Sequence, residues 1–405
     1  FGSSIIVYGS SLIHIEQSTA QLYIGRSRCL ALLSEGSMEN MDEIATVGSK
    51  EKEKDVKDST TAILPPQGLK ASELRAAGLL ETSDAEGLMQ LAFHVGVLAI
   101  CASSVAWCYS KGFWGLLLLA ELPFGVAISF LFNALHEMIH NTAFATPWLN
   151  HVLSQVLGFL TFRGAMWLWC FHWAHHRFTN DPAKDPELSG GSMDLDDPTR
   201  SLAGYVAFLS GYPFGFERVP NMFRRAFGDC SDPWLETKPA ATKRYVRIEA
   251  VLYCTGYSLL GLLALLLPAR VGLPLVLYWL LPHCLGAGHL RIYQFAEHRA
   301  CTMGTHTDTN AWVCSRTTAT WWLYRKLAWQ MPYHVEHHAF PNVPFHKLSA
   351  LHEMIKAQYS KENKEVPSGC NPDGKNGYTG LHIETFKRML TNMSSAKSSK
   401  AAKAA

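Results

Sequence analysis

Four long runs of the chain are apolar almost without interruption. Residues 88–109, 250–269 and 271–290 contain no Asp, Glu, Lys or Arg, and residues 112–135 contain only Glu121. About 20 such residues cross a hydrocarbon core as a helix, so each run predicts a transmembrane helix. Ser110-Lys111 joins the first two runs and Arg270 the last two. Links this short predict two helical hairpins. Trp107, Tyr109 and Trp114 fall near run ends, where amphipathic rings favour the membrane interface. Two weaker apolar stretches predict interfacial or re-entrant helices. Residues 151–171 are interrupted by Arg163, and residues 201–216 carry Gly204, Gly211, Pro213 and Gly215.

The flanks read differently. Between Met38 and Lys57 the chain is dense in charge, which predicts a solvated tail. Beyond Met393 only Ser, Lys and Ala remain. The expected organisation is an N-terminal segment over residues 1–84, a membrane domain over 85–355 and a polar tail over 356–405. Residues 1–37 contain no Met. Leader sequence ahead of a start at Met38 is the favoured reading, and a targeting segment the alternative.

Charge orients the hairpins. The chain carries 36 Lys and Arg against 34 Asp and Glu, so no global basic field exists to hold nucleic acid. The cations are unevenly placed. Arg218, Arg224, Arg225, Lys238, Lys243, Arg244 and Arg247 follow the first hairpin, and Lys326, Lys347 and Lys356 follow the second. The hairpin turns hold only Lys111 and Arg270. The positive-inside rule then turns both termini and the central segment to the cytosol. The expected fold is an all-α integral membrane protein. Its four transmembrane helices form two hairpins, with interfacial helices and a cytosolic histidine-rich cap. The ten cysteines form no CxxC pair, which argues for reduced thiols and against thiolate metal sites or iron–sulfur clusters.

Of the 18 histidines, eight fall in three tight groups: His136-Glu-Met-Ile-His140, His172-Trp-Ala-His175-His176 and His334-Val-Glu-His337-His338. Positions i, i+3 and i+4 share one face of a helix, so each group aims two or three imidazoles the same way. His298, at the end of the fourth run, is a ninth candidate, and Gln294 lies one turn before it on the same face. Eight or nine imidazoles exceed the needs of one ion and fit two. Metal chemistry at a membrane surface points either to O2 activation by iron or to zinc-assisted hydrolysis of a lipid. A zinc hydrolase needs few ligands, so iron is favoured. Glu137, Asp181, Asp185, Glu187, Glu297 and Glu336 are candidate partners for the ligands' second ring nitrogens. Trp167, Trp169, Trp173, Trp321 and Trp322 are candidate linings of an acyl tunnel.

HEMIH, HWAHH and HVEHH, with Trp329-Gln-Met-Pro-Tyr before the third and Ala-Phe-Pro-Asn-Val-Pro344 after it, resemble the three histidine boxes of the membrane fatty acid desaturase superfamily. The resemblance covers roughly residues 85–355. It implies a mushroom-shaped helical fold and a non-haem centre of two iron ions, with O2 as co-substrate and two electrons from a carrier. By position the implied ligands are His136, His140, His172, His175, His176, His334, His337 and His338. His298 resembles an additional ligand found in some members, where its helix partner is often Asn; here that partner is Gln294, the expected polar neighbour of the metal site. The third box begins with His334 rather than Gln, unlike front-end desaturases. No His-Pro-Gly-Gly occurs, so the expected electron donor is a separate cytochrome b5 or ferredoxin. The expected activity is an acyl-lipid or acyl-CoA desaturase that forms a double bond by hydrogen abstraction. Carotenoid ketolases or hydroxylases and sphingolipid desaturases or hydroxylases of the same superfamily are the alternatives. The expected location is the endoplasmic reticulum membrane, with a plastid membrane as the alternative.

Overall fold

The computed structural model describes residues 69–189, 201–298, 301, 311–362 and 377–404. The readings for residues 1–37 and for the charged stretch up to Lys57 lie outside them. Among the described residues the protein is helical with no strand, apart from one antiparallel bridge between Thr317 and Tyr333. Four helical stretches are long and apolar enough to cross a membrane: Asp84–Ser110, Trp114–Ile139, Ala240–Leu266 and Pro268–His298.

These stretches outrun the apolar runs that predict them. The third begins ten positions earlier, taking in Lys243, Arg244, Arg247 and Glu249, and the fourth ends at His298. A hydropathy run ends where polar residues begin, whereas a helix continues for as long as its backbone hydrogen bonds do. The added turns carry the chemistry.

Helix α1 (Asp84–Lys111) starts with a capping interaction: the Ser83 hydroxyl accepts a hydrogen bond from the Glu86 amide at 3.3 Å. Asp84 and Glu86 place negative charge at the positive end of the helix dipole. It stops at Gly112, whose φ of 69° is the left-handed conformation that closes helices at low cost. The second stretch comprises α2 (Trp114–Ser129) and α3 (Leu131–Ile139), which meet at Phe130. Val105 and Cys108 of α1 pack on Leu117, Phe124 and Ile128 of α2, with Leu277 from the fourth stretch. The second stretch is the central one. Half of its apolar window is buried, against 17–22% for the other three. Leu252, Leu259, Leu262 and Leu265 instead point outward, as a lipid-facing surface requires.

The apolar stretch at 151–171 is two helices, α4 (Pro147–Leu160) and α5 (Ala165–Phe178). The break falls at Phe162, with φ of 57°, and Arg163. The next pair, α6 (Leu202–Ser210) and α7 (Tyr212–Ala226), breaks at Gly211. A side chain at Gly211 would run into the Ala287 carbonyl, so this turn is seated directly against the fourth stretch. Helix α8 (Ala240–Leu266) is the third stretch, and α9 (Leu281–His298) ends the fourth. Gly125 of α2 and Gly286 of α9 touch backbone to backbone: a Cβ on Gly286 would lie 2.2 Å from the Gly125 oxygen. Small residues permit such approach where lipid supplies no hydrophobic drive between helices.

Around the ends of α3, α5 and α9 lies a mixed core. Trp329 is fully buried, and its indole N–H donates to His94 Nδ1 at 3.0 Å. His94 Nε2 in turn meets the Ala127 carbonyl at 2.9 Å. A histidine outside the three boxes thus ties α1, α2 and the segment before the third box together. Trp329 and Gln330 both have φ near +60°, a sparsely populated state for residues with side chains. The pair turns the chain sharply into α10 (His334–Ala339).

Candidate metal centre

The three boxes and His298 sit on four short helical ends. His136 is in the last turn of α3 and His140 caps it. His172, His175 and His176 lie on α5, His298 closes α9, and His334, His337 and His338 lie on α10. Helical spacing puts each group on one face, and packing turns those faces toward one another.

Two clusters result. His136, His140, His172, His176 and His337 present ring nitrogens that all lie within 4.8 Å of one another, and His175, His298 and His338 form a second such set. In the first, His176 Nε2 lies 2.9 Å from His172 Nε2 and 3.1 Å from His337 Nε2. The His140 ring centroid lies 4.7–5.0 Å from those of His136, His172, His176 and His337. In the second, His298 Nε2 lies 3.1 Å from His175 Nε2 and 2.8 Å from His334 Nε2. His176 and His338, with centroids 4.2 Å apart, join the two clusters.

Tautomers follow from the outer contacts. His175 Nδ1–H donates to Asp185 Oδ1 at 2.9 Å, and His298 Nδ1–H donates to the Cys314 carbonyl at 3.0 Å. Their Nε2 atoms are left facing each other. His338 Nδ1 lies 3.3 Å from the Thr179 hydroxyl, which itself donates to the His175 carbonyl. Both ring nitrogens of His136 and of His140, together with His334 Nδ1 and His338 Nε2, are buried without a hydrogen-bond partner. An unsatisfied buried polar group costs about 1–3 kcal/mol. So many lone pairs converging in one place is unfavourable on its own, and cations relieve it. The donor set fits metal ions.

Burial, reinforced by the neighbouring imidazoles, holds His140, His172, His176, His334, His337 and His338 well below the ordinary histidine pKa. They are neutral, as ligands must be. His175 is the exception. Burial opposes its charge too, but Asp185 and Glu187 outweigh that and raise its pKa to about 9, so a metal bound at its Nε2 would displace a proton.

The six carboxylates expected to brace the ligands divide. Only Asp185 is hydrogen-bonded to a candidate ligand. Glu297 Oε1 stands 3.6 Å from His334 Nδ1. Glu137 accepts from Thr142 Oγ1 at 2.7 Å and from the Phe345 amide at 3.2 Å, fixing the turn after the first box. Glu336 binds Thr317 and His352. Asp181 caps its own turn at Ala183. Glu187 and Glu297 instead line a narrow cavity beside His136, His172 and His175. Gln294 lines the same cavity, its side-chain oxygen buried without a partner.

The tryptophan expectation needs correction. Trp321 and Trp322 are exposed. Trp167 packs with Phe171 and Trp234, and Trp169 lies under Lys238. Trp173 alone of the five touches the candidate ligands, 5.0 Å from His140 and 5.6 Å from His176. Phe132 and Met331 line the cavity instead. The sequence reading also missed Thr179 and the Cys314 carbonyl. One is a common hydroxyl and the other a backbone group, and neither carries a pattern.

The family model for fatty acid desaturases matches residues 112–368. Among curated proteins, the chain is similar to the sn-1 linoleoyl-lipid 6-desaturase of Synechocystis, with 23% identity over 65% of this chain and 82% of that one. It is similar to a sphingolipid delta(4)-desaturase of Arabidopsis thaliana, with 24% identity over 65% of this chain and 70% of that one. It also resembles the human sphingolipid delta(4)-desaturase/C4-monooxygenase, with 26% identity over 67% of this chain and 75% of that one. A family match over most of the chain, four membrane-length helices and two facing histidine clusters lead to one conclusion: this chain is an integral membrane oxidoreductase of the fatty acid desaturase family.

Proposed function

We propose that the protein is an O2-dependent di-iron desaturase acting on the acyl chain of a lipid or acyl-CoA. The observation that carries this is the pairing of two imidazole clusters at one set of helix ends. In this reading His136, His140, His172, His176 and His337 hold one iron, and His175, His298, His334 and His338 hold the other. Gln294 offers its unpartnered oxygen to a water beside the second site. When bound, the iron pair supplies the means to reduce O2 and to remove hydrogen from a methylene. The residues of the chain do the rest. Asp185 and the Cys314 carbonyl fix the rings of His175 and His298 so that Nε2 faces the metal. Phe132 and Met331 give the cavity an apolar wall that keeps water from the reacting carbon. Electrons come from a separate cytochrome b5 or ferredoxin.

The catalytic domain in this reading spans residues 85–355. Its helices form two hairpins, with the histidine-rich ends as a cytosolic cap and the endoplasmic reticulum as the membrane. A second reading draws on the human relative, named as both a desaturase and a monooxygenase: a sphingolipid desaturase or hydroxylase. Expression in a desaturase-deficient yeast, with lipid mass spectrometry, tests both. Acyl chains lighter by two hydrogens, absent in the His337→Ala variant, support the first reading. A gain of one oxygen supports the second. Neither change, in a protein that holds iron, would sink the desaturase reading for yeast lipids.

A further inference from the structure

Among the described residues the last helix is α11 (Gly377–Ala404), which lies wholly beyond residue 368, where the family match ends. It is fastened to the back of the metal centre. His382 Nε2–H donates to the Ile292 carbonyl at 2.9 Å, which leaves Nδ1 to accept from the Tyr205 hydroxyl. Leu381 and Met389 are buried with Phe295 and Ala296 of α9 and Phe208 of α6. Helix α11 thus grips α6 and the last two turns of α9, which lead into His298.

Its surface has three sides. Leu381, Thr385 and Met389, at i, i+4 and i+8, form the buried one. Ile383, Phe386 and Leu390 fall on a second side, about 130° round the helix at 100° per position. They are 50, 39 and 47% exposed. Glu384, Lys387 and Arg388 form the third side and are exposed as well. From Gly377 onward the sequence carries five Lys and Arg against one Glu. A helix with an apolar side beside a basic one lies in the plane of a lipid surface.

The level at which α11 sits agrees. The charge-free run of the fourth stretch ends at Leu290, and Arg291 follows. That run, at about 20 residues, fills the hydrocarbon core. Residues 292–296, where α11 attaches, then lie about 3–9 Å beyond its edge, in the head-group layer. Helix α6 packs just inside the same edge, with its Leu209 carbonyl against Gly288 and Gly211 against Ala287. Its Leu202 and Val206 are exposed too, so the apolar surface continues from α6 to α11.

We propose that α11 lies in the lipid surface of the membrane. Ile383, Phe386 and Leu390 sit among acyl chains, and Lys387, beside them, meets anionic phospholipid head groups. The helix is an anchor that holds the end of α9 at the membrane surface, whatever lipid the enzyme acts on.

The test places p-benzoylphenylalanine at Phe386, at Ile383 or, as a control, at Glu384 of the full chain. The protein is reconstituted in vesicles of phosphatidylcholine with a minor fraction of phosphatidylserine and illuminated, and peptide mass spectrometry reads what each position has captured. The expected result is phospholipid adducts at both apolar positions and several-fold fewer at the control. Phosphatidylserine is expected among the adducts above its mole fraction, and at that fraction in Lys387→Gln. Cross-links from Phe386 to a second copy of the chain overturn the proposal, because that side would then face protein. So does the lack of any adduct at either apolar position, because it would then face water. A wild-type share equal to the mole fraction overturns the head-group contact at Lys387. The substituted positions are exposed, and monodispersity and iron content check that each variant folds. The readout needs no turnover, so adducts without desaturation would count against the desaturase reading and leave the anchor standing.

Discussion

Asp185 and His175 are ten positions apart, yet Asp185 Oδ1 accepts from His175 Nδ1–H at 2.9 Å while Oδ2 accepts from the Asn180 amide at 2.8 Å. The carboxylate locks both the tautomer of a candidate ligand and the turn beneath it. Asp185→Asn keeps the shape and removes the charge. Metal affinity at the second cluster is expected to fall about 10–100-fold, read by iron titration of the purified apo-protein, with the first cluster still loading. Retention of both irons at wild-type affinity would remove Asp185 from the site. His140→Ala tests the other cluster, since four other imidazoles converge on that ring. The expected outcome is loss of one iron equivalent by elemental analysis and of product formation. At this scale the sequence points to the imidazoles that the fold brings together and says little about what supports them. Ligands at i, i+3 and i+4 leave a pattern. A support comes from wherever the chain happens to pass: of six candidate carboxylates Asp185 hydrogen-bonds a candidate ligand, while Glu297 and Glu137 stand 3.6 and 3.7 Å from His334 and His136.

Helix α5 shows how an element is aimed. It carries the second box, and its first turn meets Glu249 of α8. Glu249 Oε1 accepts from the Met166 amide at 2.9 Å and from Gln155 Nε2 at 2.9 Å. A Cβ at Gly164 would lie 2.3 Å from Glu249 Oε2, so Gly164 is what lets the carboxylate approach the helix start. Glu249→Ala leaves those buried donors unsatisfied at about 1–3 kcal/mol each, and a lowered Tm in detergent is the expected readout. Glu249→Gln, which can still accept, is expected to lose less. Between α2 and α9, Gly286→Leu would drive a side chain into the Gly125 carbonyl. The expected outcome is loss of the monodisperse peak in size-exclusion chromatography. Neither contact was legible in the sequence. Glu249 reads there as one charge at the edge of an apolar run, and Gly125 and Gly286 as two glycines among 30.

Across the whole molecule, the candidate ligands come from four separate helical ends, so metal binding cross-links segments far apart in the chain. Anything that binds only the folded state stabilises it by mass action, by about 2.7 kcal/mol at a hundredfold excess over Kd. Chelation is therefore expected to lower Tm, and ferrous iron to restore it, as followed by differential scanning fluorimetry. An unchanged Tm after verified iron removal would mean that the clusters do not hold the fold together. The proposed topology makes a separate prediction. With the exposed Cys284 replaced by Ser, thiols introduced by Lys111→Cys and Lys356→Cys should be labelled from opposite sides of a sealed vesicle. Labelling of both from one side would overturn the two-hairpin arrangement.

The sequence by itself determined that the protein is helical with four membrane-length helices, and it named the imidazoles that could serve as donors. A hydrocarbon core demands about 20 apolar residues per helix, and a helix puts i, i+3 and i+4 on one face. Both are local rules that a linear pattern records, and they sufficed for the four long helices and for placing each histidine group on one helical face. The tertiary structure alone decided which imidazoles share a cluster, since His337 joins the first and His338 the second despite being adjacent in the chain. Successive helical positions point about 100° apart, so neighbours diverge and the partners of each are chosen by packing. It alone decided that Asp185 braces a ligand while Glu336 does not, that Trp173 but not Trp322 meets the histidines, and that Arg163 turns inward beside Phe132. These depend on how helices cross, which glycine contacts and caps set between segments that the linear sequence keeps far apart.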